Sequence, residues 1–189
     1  MKTKMGRWVL GIGILGALNA YSQEVRVDST TFGIQTGFLG IYSHNEARIS
    51  PKIALRTEVG INAGIYGGAM YAKRIGTELT PVITVEPRWY YNLDRRVAKG
   101  KNISGNSGNF LTLQTSFNPS WQIFSTESLQ RTASQITVMP MWGLKRNKGK
   151  HFTFEAGAGA GVGRYLGNSK PDNPYFLGVG LHLRVGYRF

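Results

Sequence analysis

The sequence predicts an all-β chain closed into one antiparallel barrel, with eight strands as the simplest count. Three observations carry this. Apolar and polar residues alternate with period two in segment after segment from residue 31 to the C-terminus. After residue 23 there is no apolar run of membrane-helix length and no helical period. The 25 glycines of the 189 residues fall largely inside the alternating segments rather than in linkers.

Residues 1–23, "MKTKMGRWVLGIGILGALNAYSQ", stand apart. Lys2, Lys4 and Arg7 precede an apolar core from Trp8 to Leu18, and small residues follow at Ala20 and Ser22. This is the pattern of a secretory signal peptide, with a core too short to span a bilayer and too rich in glycine for a buried helix. Cleavage near Gln23 would leave residues 24–189 as one domain, since no composition shift divides them. The formal charge is +13 and Cys is absent. An exported chain has no nucleic-acid partner, so the basic surplus is not read as a nucleic-acid footprint. Without disulfides the mature chain must be held by other means, and a closed sheet is one.

Seven segments alternate clearly. Residues 31–42 place Phe32, Ile34, Phe38 and Tyr42 in one reading. Residues 52–66 set Ile53, Leu55, Val59 and Ile61 against Arg56, Glu58 and Asn62. Residues 79–93 set Ile83, Val85, Trp89 and Tyr91 against Thr84, Glu86, Arg88 and Tyr90. Residues 110–117 and 135–144 follow the same rule. Residues 151–165 set Phe152, Phe154 and three alanines against Thr153, Glu155 and glycines at 157, 159, 161 and 163. The last strand runs from about Tyr175 to Phe189. Between them lie segments that read as loops: 42–52, 94–109, 118–134, 144–151 and 166–174.

The face opposite the apolar one decides the setting. A water-facing sheet surface is dense in Lys, Glu, Thr and Gln. Here that face is sparse, with rows of glycine and a few charges of both signs, which suits a crowded interior. Aromatic residues gather near strand ends (Trp89, Tyr91, Trp142, Tyr175, Tyr187, Phe189), as interface girdles require. The expected fold is therefore a transmembrane β-barrel with its apolar face outward. Arg56, Glu58, Glu86, Arg88, Glu155 and Arg184 become lumen charges, with Glu58 expected beside Arg56, Glu86 beside Arg88 and Glu155 beside Arg184.

"LTPVITVEPRWYYNLDRR", "GKNISGNSGNFLTL", "MWGLKRNKGKHFTFEAGAGAG" and the terminal "LHLRVGYRF" together resemble small single-chain outer-membrane β-barrels of the OmpA/OmpX-like size class. They are similar in particular to uncharacterised barrel proteins of Bacteroidota-type bacteria. The resemblance covers nearly all of residues 24–189 and implies a location in the cell outer membrane, with surrounding lipid and lipopolysaccharide. It implies no established activity. It also implies that Leu181, Leu183, Val185, Tyr187 and Phe189 form the signal read by the barrel-assembly machinery.

Two features strain the pattern. Pro81, Pro87 and Pro140 lie inside strands, where each implies a bulge or a gap. Seven clear strands conflict with the even number of single-chain bacterial barrels. Either the N-terminal stretch is split, or a crossing lies within 67–78 or 118–134.

Chemistry is sparse. His44 and His151 are read in polar turns and His182 in the lumen, with no spacing that makes a metal site. No Cys nucleophile and no G-x-S-x-G elbow occur. The GAGAGVG run lacks the Lys-Ser/Thr ending of a phosphate loop. Ser43, His44 and Glu46 are the candidates for a lipid-modifying site, and as turn residues they read as solvated. No catalytic residue, cofactor or metal is assigned. The basic residues Arg95, Arg96, Lys99, Lys101, Lys145, Arg146, Lys148 and Lys150 are read in two turns facing lipid head groups or a partner. The expected role is structural or interactive, with a narrow pore or a lipid-modifying enzyme as alternatives. Oligomeric state is left open.

Overall fold

The computed structural model describes residues 25–37, 40–68, 72–125, 133–167 and 172–189. The expected leader, 1–23, lies outside them. The elements are β1 (Thr30–Gly37), β2 (Gly40–Ser50), β3 (Ile53–Gly68), β4 (Ala72–Trp89), α1 (Leu93–Ala98), β5 (Asn109–Asn118), β6 (Phe124–Ser125), β7 (Ser134–Lys148), β8 (Phe152–Leu166) and β9 (Tyr175–Arg188). The sheet runs β3-β2-β1-β9-β8-β7-β5-β4 and is closed by pairing of β3 with β4. The result is a closed eight-stranded antiparallel barrel. β6 is an appendage of two residues on Glu78 and Leu79 of β4.

The strand count is settled at the N-terminus. The segment 31–42 is not one strand. Gly37 pairs with Gly40, so two residues separate β1 from β2. The segment 42–52, read as a loop, is mostly β2, and only Pro51 and Lys52 turn the chain. The error has a physical source. The β1–β2 connection carries Phe38 and Leu39 instead of a cluster of turn residues, so it continues the apolar reading. Gly40 permits the close approach: a Cβ there would lie 2.5 Å from the Ile61 carbonyl oxygen and 2.4 Å from the Tyr42 hydroxyl.

Antiparallel order sorts the connections between the two ends. One end holds the turns at 51–52 and 149–151, the α1 segment and Phe189. The other holds the remaining four connections. The α1 segment is more than the polar loop its composition predicts. Val27, Ala54, Tyr90, Leu93 and Phe110 form a small apolar cluster that closes this end. The tip of the segment, residues 105–108, is buried beside it. Asn106 adopts φ 62°, a conformation that Asn tolerates better than most residues. Its side-chain oxygen accepts from the Asp28 amide at 2.7 Å, and its amide nitrogen donates to Glu46 at 2.7 Å. The α1 end is therefore tied into the lumen.

Alternation then assigns the faces. Ile34, Val59, Ile83, Val85, Leu111, Leu113, Trp142, Val162 and Leu181 are exposed on the outer face. Gln35, Glu46, Arg56, Glu86, Arg88 and Glu155 are buried on the inner one. The interior glycines make room for large neighbours, as at Gly163, where a Cβ would stand 2.1 Å from the Phe176 ring. The prolines produce gaps rather than bulges. β4 and β5 pair at Val85↔Thr115 and resume in the same register at Arg88↔Thr112, skipping Pro87. β7 and β8 skip Pro140 in the same way, between Val138↔Val162 and Met141↔Gly159. At Pro81, the Asn118 side-chain amide donates to the Pro81 carbonyl at 3.2 Å and extends the β4–β5 contact.

Gly143 faces the Phe110 ring so closely that a Cβ would lie 2.4 Å from it. Gly143→Val should lower stability by about 1–3 kcal/mol through overpacking, read as a reduced urea midpoint in tryptophan fluorescence.

Candidate functional site

The centre of the barrel is ionic. Glu46 on β2, Arg56 and Glu58 on β3, Glu86 and Arg88 on β4, Lys145 on β7, Glu155 on β8 and Arg184 on β9 are all buried. The set holds four acids and four bases, so its formal charge cancels.

Register explains why they meet. Glu46 lies across from Arg56, and Arg56 across from Glu86. Lys145 lies across from Glu155, and Glu155 across from Arg184. Every one of these cross-strand neighbours alternates in sign, which a sheet favours over like charges side by side.

The contacts then reach across the lumen. Arg56 Nη2 donates to Glu58 at 2.6 Å, while its Nη1 meets Glu46 at 3.3 Å and Glu155 at 3.2 Å. Arg88 Nε donates to Glu86 at 2.7 Å, and its Nη1 meets Glu46 at 3.2 Å and Glu155 at 3.0 Å. Lys145 Nζ bonds Glu46 at 3.0 Å and lies 3.8 Å from Glu155. Gln35 bridges the set by donating to Glu155 at 3.0 Å and accepting from Arg56 at 2.8 Å. Tyr90 donates to Glu46 at 3.1 Å. Two carboxylates, Glu46 and Glu155, thus hold the same three cations.

All six lumen charges named from the sequence lie inside the barrel, but one pairing differs. Glu155 is opposite Arg184 in backbone register, yet Arg184 reaches Glu58 at 2.6 Å, leaving Glu155 to Arg56, Arg88 and Lys145. A flat cross-strand view misses this because the wall curves and long side chains converge on the axis.

Lys145, His44 and Glu46, which the sequence reading puts in turns, also lie in the lumen. Lys145 is not a turn residue: β7 runs on to Lys148, and the inward phase of Met139, Met141 and Gly143 carries Lys145 into the lumen. His44 and Glu46 are not solvated turn residues either. They lie on the inner face of β2 and are buried, whereas Ser43 points outward. The three residues weighed as a lipid-modifying site are therefore divided between the two faces. His182 is in the lumen, with Nε2 3.6 Å from Glu155, and His151 is exposed at a turn. Carrying the inward phase of β7 one residue past Leu144 finds Lys145, whereas Glu46 lies beyond the hairpin at 38–39, which breaks the phase of the 31–42 segment. The period gives the inward face of Tyr90 but not its bond to Glu46, and nothing local announces Asn106.

Above the cluster, away from the α1 end, lies a cavity of about 210 Å³. Its wall is largely neutral and polar: Asn62, Thr84, Gln114, Ser116, Asn118 and Thr137. Glu58, His182 and Arg184 also line it. Among the described residues no cluster of His, Cys, Asp and Glu could hold a metal ion.

Glu155→Gln should be strongly destabilising, by about 3–5 kcal/mol, because it leaves buried cations short of a counter-charge. Lys52→Ala removes the exposed ion pair with Asp94 and should cost less than about 1 kcal/mol. Urea unfolding of the two variants measures the contrast, and equal losses would show that the lumen cluster is no more important than a surface pair.

No family model, no curated protein and no solved structure matches this chain, so the assignment of a role rests on its own geometry.

Proposed function

We propose that this chain is an integral outer-membrane β-barrel, exported by its N-terminal leader, with a structural or interaction role in the membrane. The supporting observation is the inverted polarity of the wall: large apolar side chains face outward and the charged set faces inward. In water, that outer belt would far exceed the few hundred Å² of contiguous apolar surface that monomers expose. In hydrocarbon the same surface is the stable one, and the closed ladder leaves few backbone groups unpaired.

The aromatic belt at the α1 end fits an interface. Trp142 Nε1 donates to the Tyr91 hydroxyl at 2.8 Å. Trp89 packs on Tyr91, Phe32 on Phe189, and Tyr187 on both Phe189 and His151. Beyond this belt Arg95, Lys99, Lys101, Lys148 and Lys150 are exposed, a charge suited to anionic head groups. Leu181, Leu183, Val185, Tyr187 and Phe189 all face outward, accessible to the assembly machinery. The charge cluster and the seal fill the lumen at the α1 end, which favours a closed barrel over a conducting pore. Among the described residues no nucleophile and base pair stand together in the way an enzyme reading needs.

The protein should fractionate with outer membranes and migrate differently on gels before and after boiling. Recovery as a soluble monomer would overturn the proposal. Deleting Phe189 should reduce the heat-modifiable form while leaving export intact, measured by the fraction of unassembled chain in the periplasm.

A further inference from the structure

β1 and β2 leave part of the wall open. β1 ends at Gly37, opposite Arg184 of β9. β2 starts at Gly40, opposite Asn62 of β3. β9 nevertheless extends from Arg184 back to Tyr175, held by β8, and β3 extends to Gly68, held by β4. Among the described residues no strand fills the space between these two extensions. Among the described residues the barrel wall has a notch above the β1–β2 hairpin.

Among the described residues the backbone on its β9 side has no ladder partner. The Phe189 amide donates to the Phe32 carbonyl at 3.0 Å, so odd-numbered residues of β9 turn their peptide groups toward β1. For Leu177, Val179 and Leu181, no described strand lies on that side. Their exposures of 87, 81 and 79% are high for mid-strand residues and agree with an open edge. At bilayer depth such peptide groups need partners.

The cavity reaches residues on both sides of the notch. Tyr42 and Asn62 line the cavity from one jamb, and Gly180 and Leu181 from the other. The sill is a built structure. Tyr42 donates to Asn62 at 2.8 Å, and the Arg184 guanidinium lies 3.8 Å above the Tyr42 ring. Behind the cavity wall, both ring nitrogens of His182 and Oε1 of Glu58 are buried without hydrogen-bond partners. Arg184 and Glu58 neutralise each other, so a charged guest would unbalance a closed set of charges. Outside, Val179 and Leu181 stand opposite Ala160 and Ala158 of β8, forming an apolar ridge over small neighbours.

We infer that the notch is a side entrance through which a single-chain amphiphile places an uncharged, hydroxyl-bearing head in the cavity. Its hydrocarbon chain stays in the bilayer along Leu177, Val179 and Leu181. The head hydrogen-bonds the neutral polar wall of Asn62, Thr84, Gln114 and Ser116, and the chain covers the open edge. This inference rests on the membrane reading proposed above.

The test uses the full mature barrel in phosphatidylethanolamine vesicles and a monoacylglycerol with a diazirine in its chain. After irradiation, labelled peptides should concentrate on residues 175–183. Ser116→Trp, which fills the cavity, should abolish that preference while the barrel remains heat-modifiable. Thr84→Val keeps the shape, removes one hydroxyl, and should reduce labelling about fivefold; it decides the matter if Ser116→Trp fails to assemble. Labelling spread evenly over the strands, or unchanged in an assembled variant, overturns the side entrance. Displacement of the probe by free glycerol as effectively as by unlabelled monoacylglycerol also overturns it, since the head would then enter from the open end. Failure of the membrane reading is distinct: the protein would not float with vesicles before any probe is added.

Discussion

The buried ion cluster is the constraint around which the barrel is organised. Glu46 and Glu155, from strands on opposite sides of the chain order, each bind Arg56, Arg88 and Lys145. Charges this deep are tolerated only when paired and hydrogen-bonded. Pairing at these positions requires the register of β2, β3, β4, β7, β8 and β9 at once. A slip of one residue in any of them would turn a charge outward and leave its partners unmatched. The cluster therefore acts as a registration device: it adds little net attraction after desolvation, but it makes other registers expensive.

The rest of the interior follows from the space this cluster needs. Long arginine and lysine side chains converge on the axis, so parts of the facing wall are glycine. Phe110 and Tyr90 occupy the α1 end, where Gly143 makes room for the Phe110 ring. Asn106 and Tyr90 add hydrogen bonds to the same Glu46 that the cations hold. The seal at that end and the charge cluster are one connected structure. The upper lumen differs: it is lined by neutral hydroxyls and amides and keeps its cavity. A filled lower half and a hollow upper half are thus built from the same eight strands.

How far this was legible can be judged residue by residue. Phe152, Phe154 and Val162 against Glu155 and the glycine row announce β8 and its two faces by period alone. Arg56, Glu58, Glu86 and Arg88 are readable as inward for the same reason, because each is flanked by residues of strong outward preference. β2 was misread. Its outward positions include Ser43, Asn45 and Ala47, so its alternation is weak and its inward His44 and Glu46 look like turn residues. Lys145 was misplaced because a basic run follows it, and composition outweighed phase.

The sequence by itself determined the fold class, the direction each face of most strands takes, and the identity of six interior charges. These follow from a two-residue period, which is local. Only the tertiary structure decided the eighth strand, the partners of those charges, the seal over the α1 end and, among the described residues, the unpaired stretch of β9. Each depends on how strands far apart in the chain are staggered and curved, so that Glu155 meets Arg56 across 99 residues of sequence. Period reports which way a side chain points; closure of the sheet decides what it meets there.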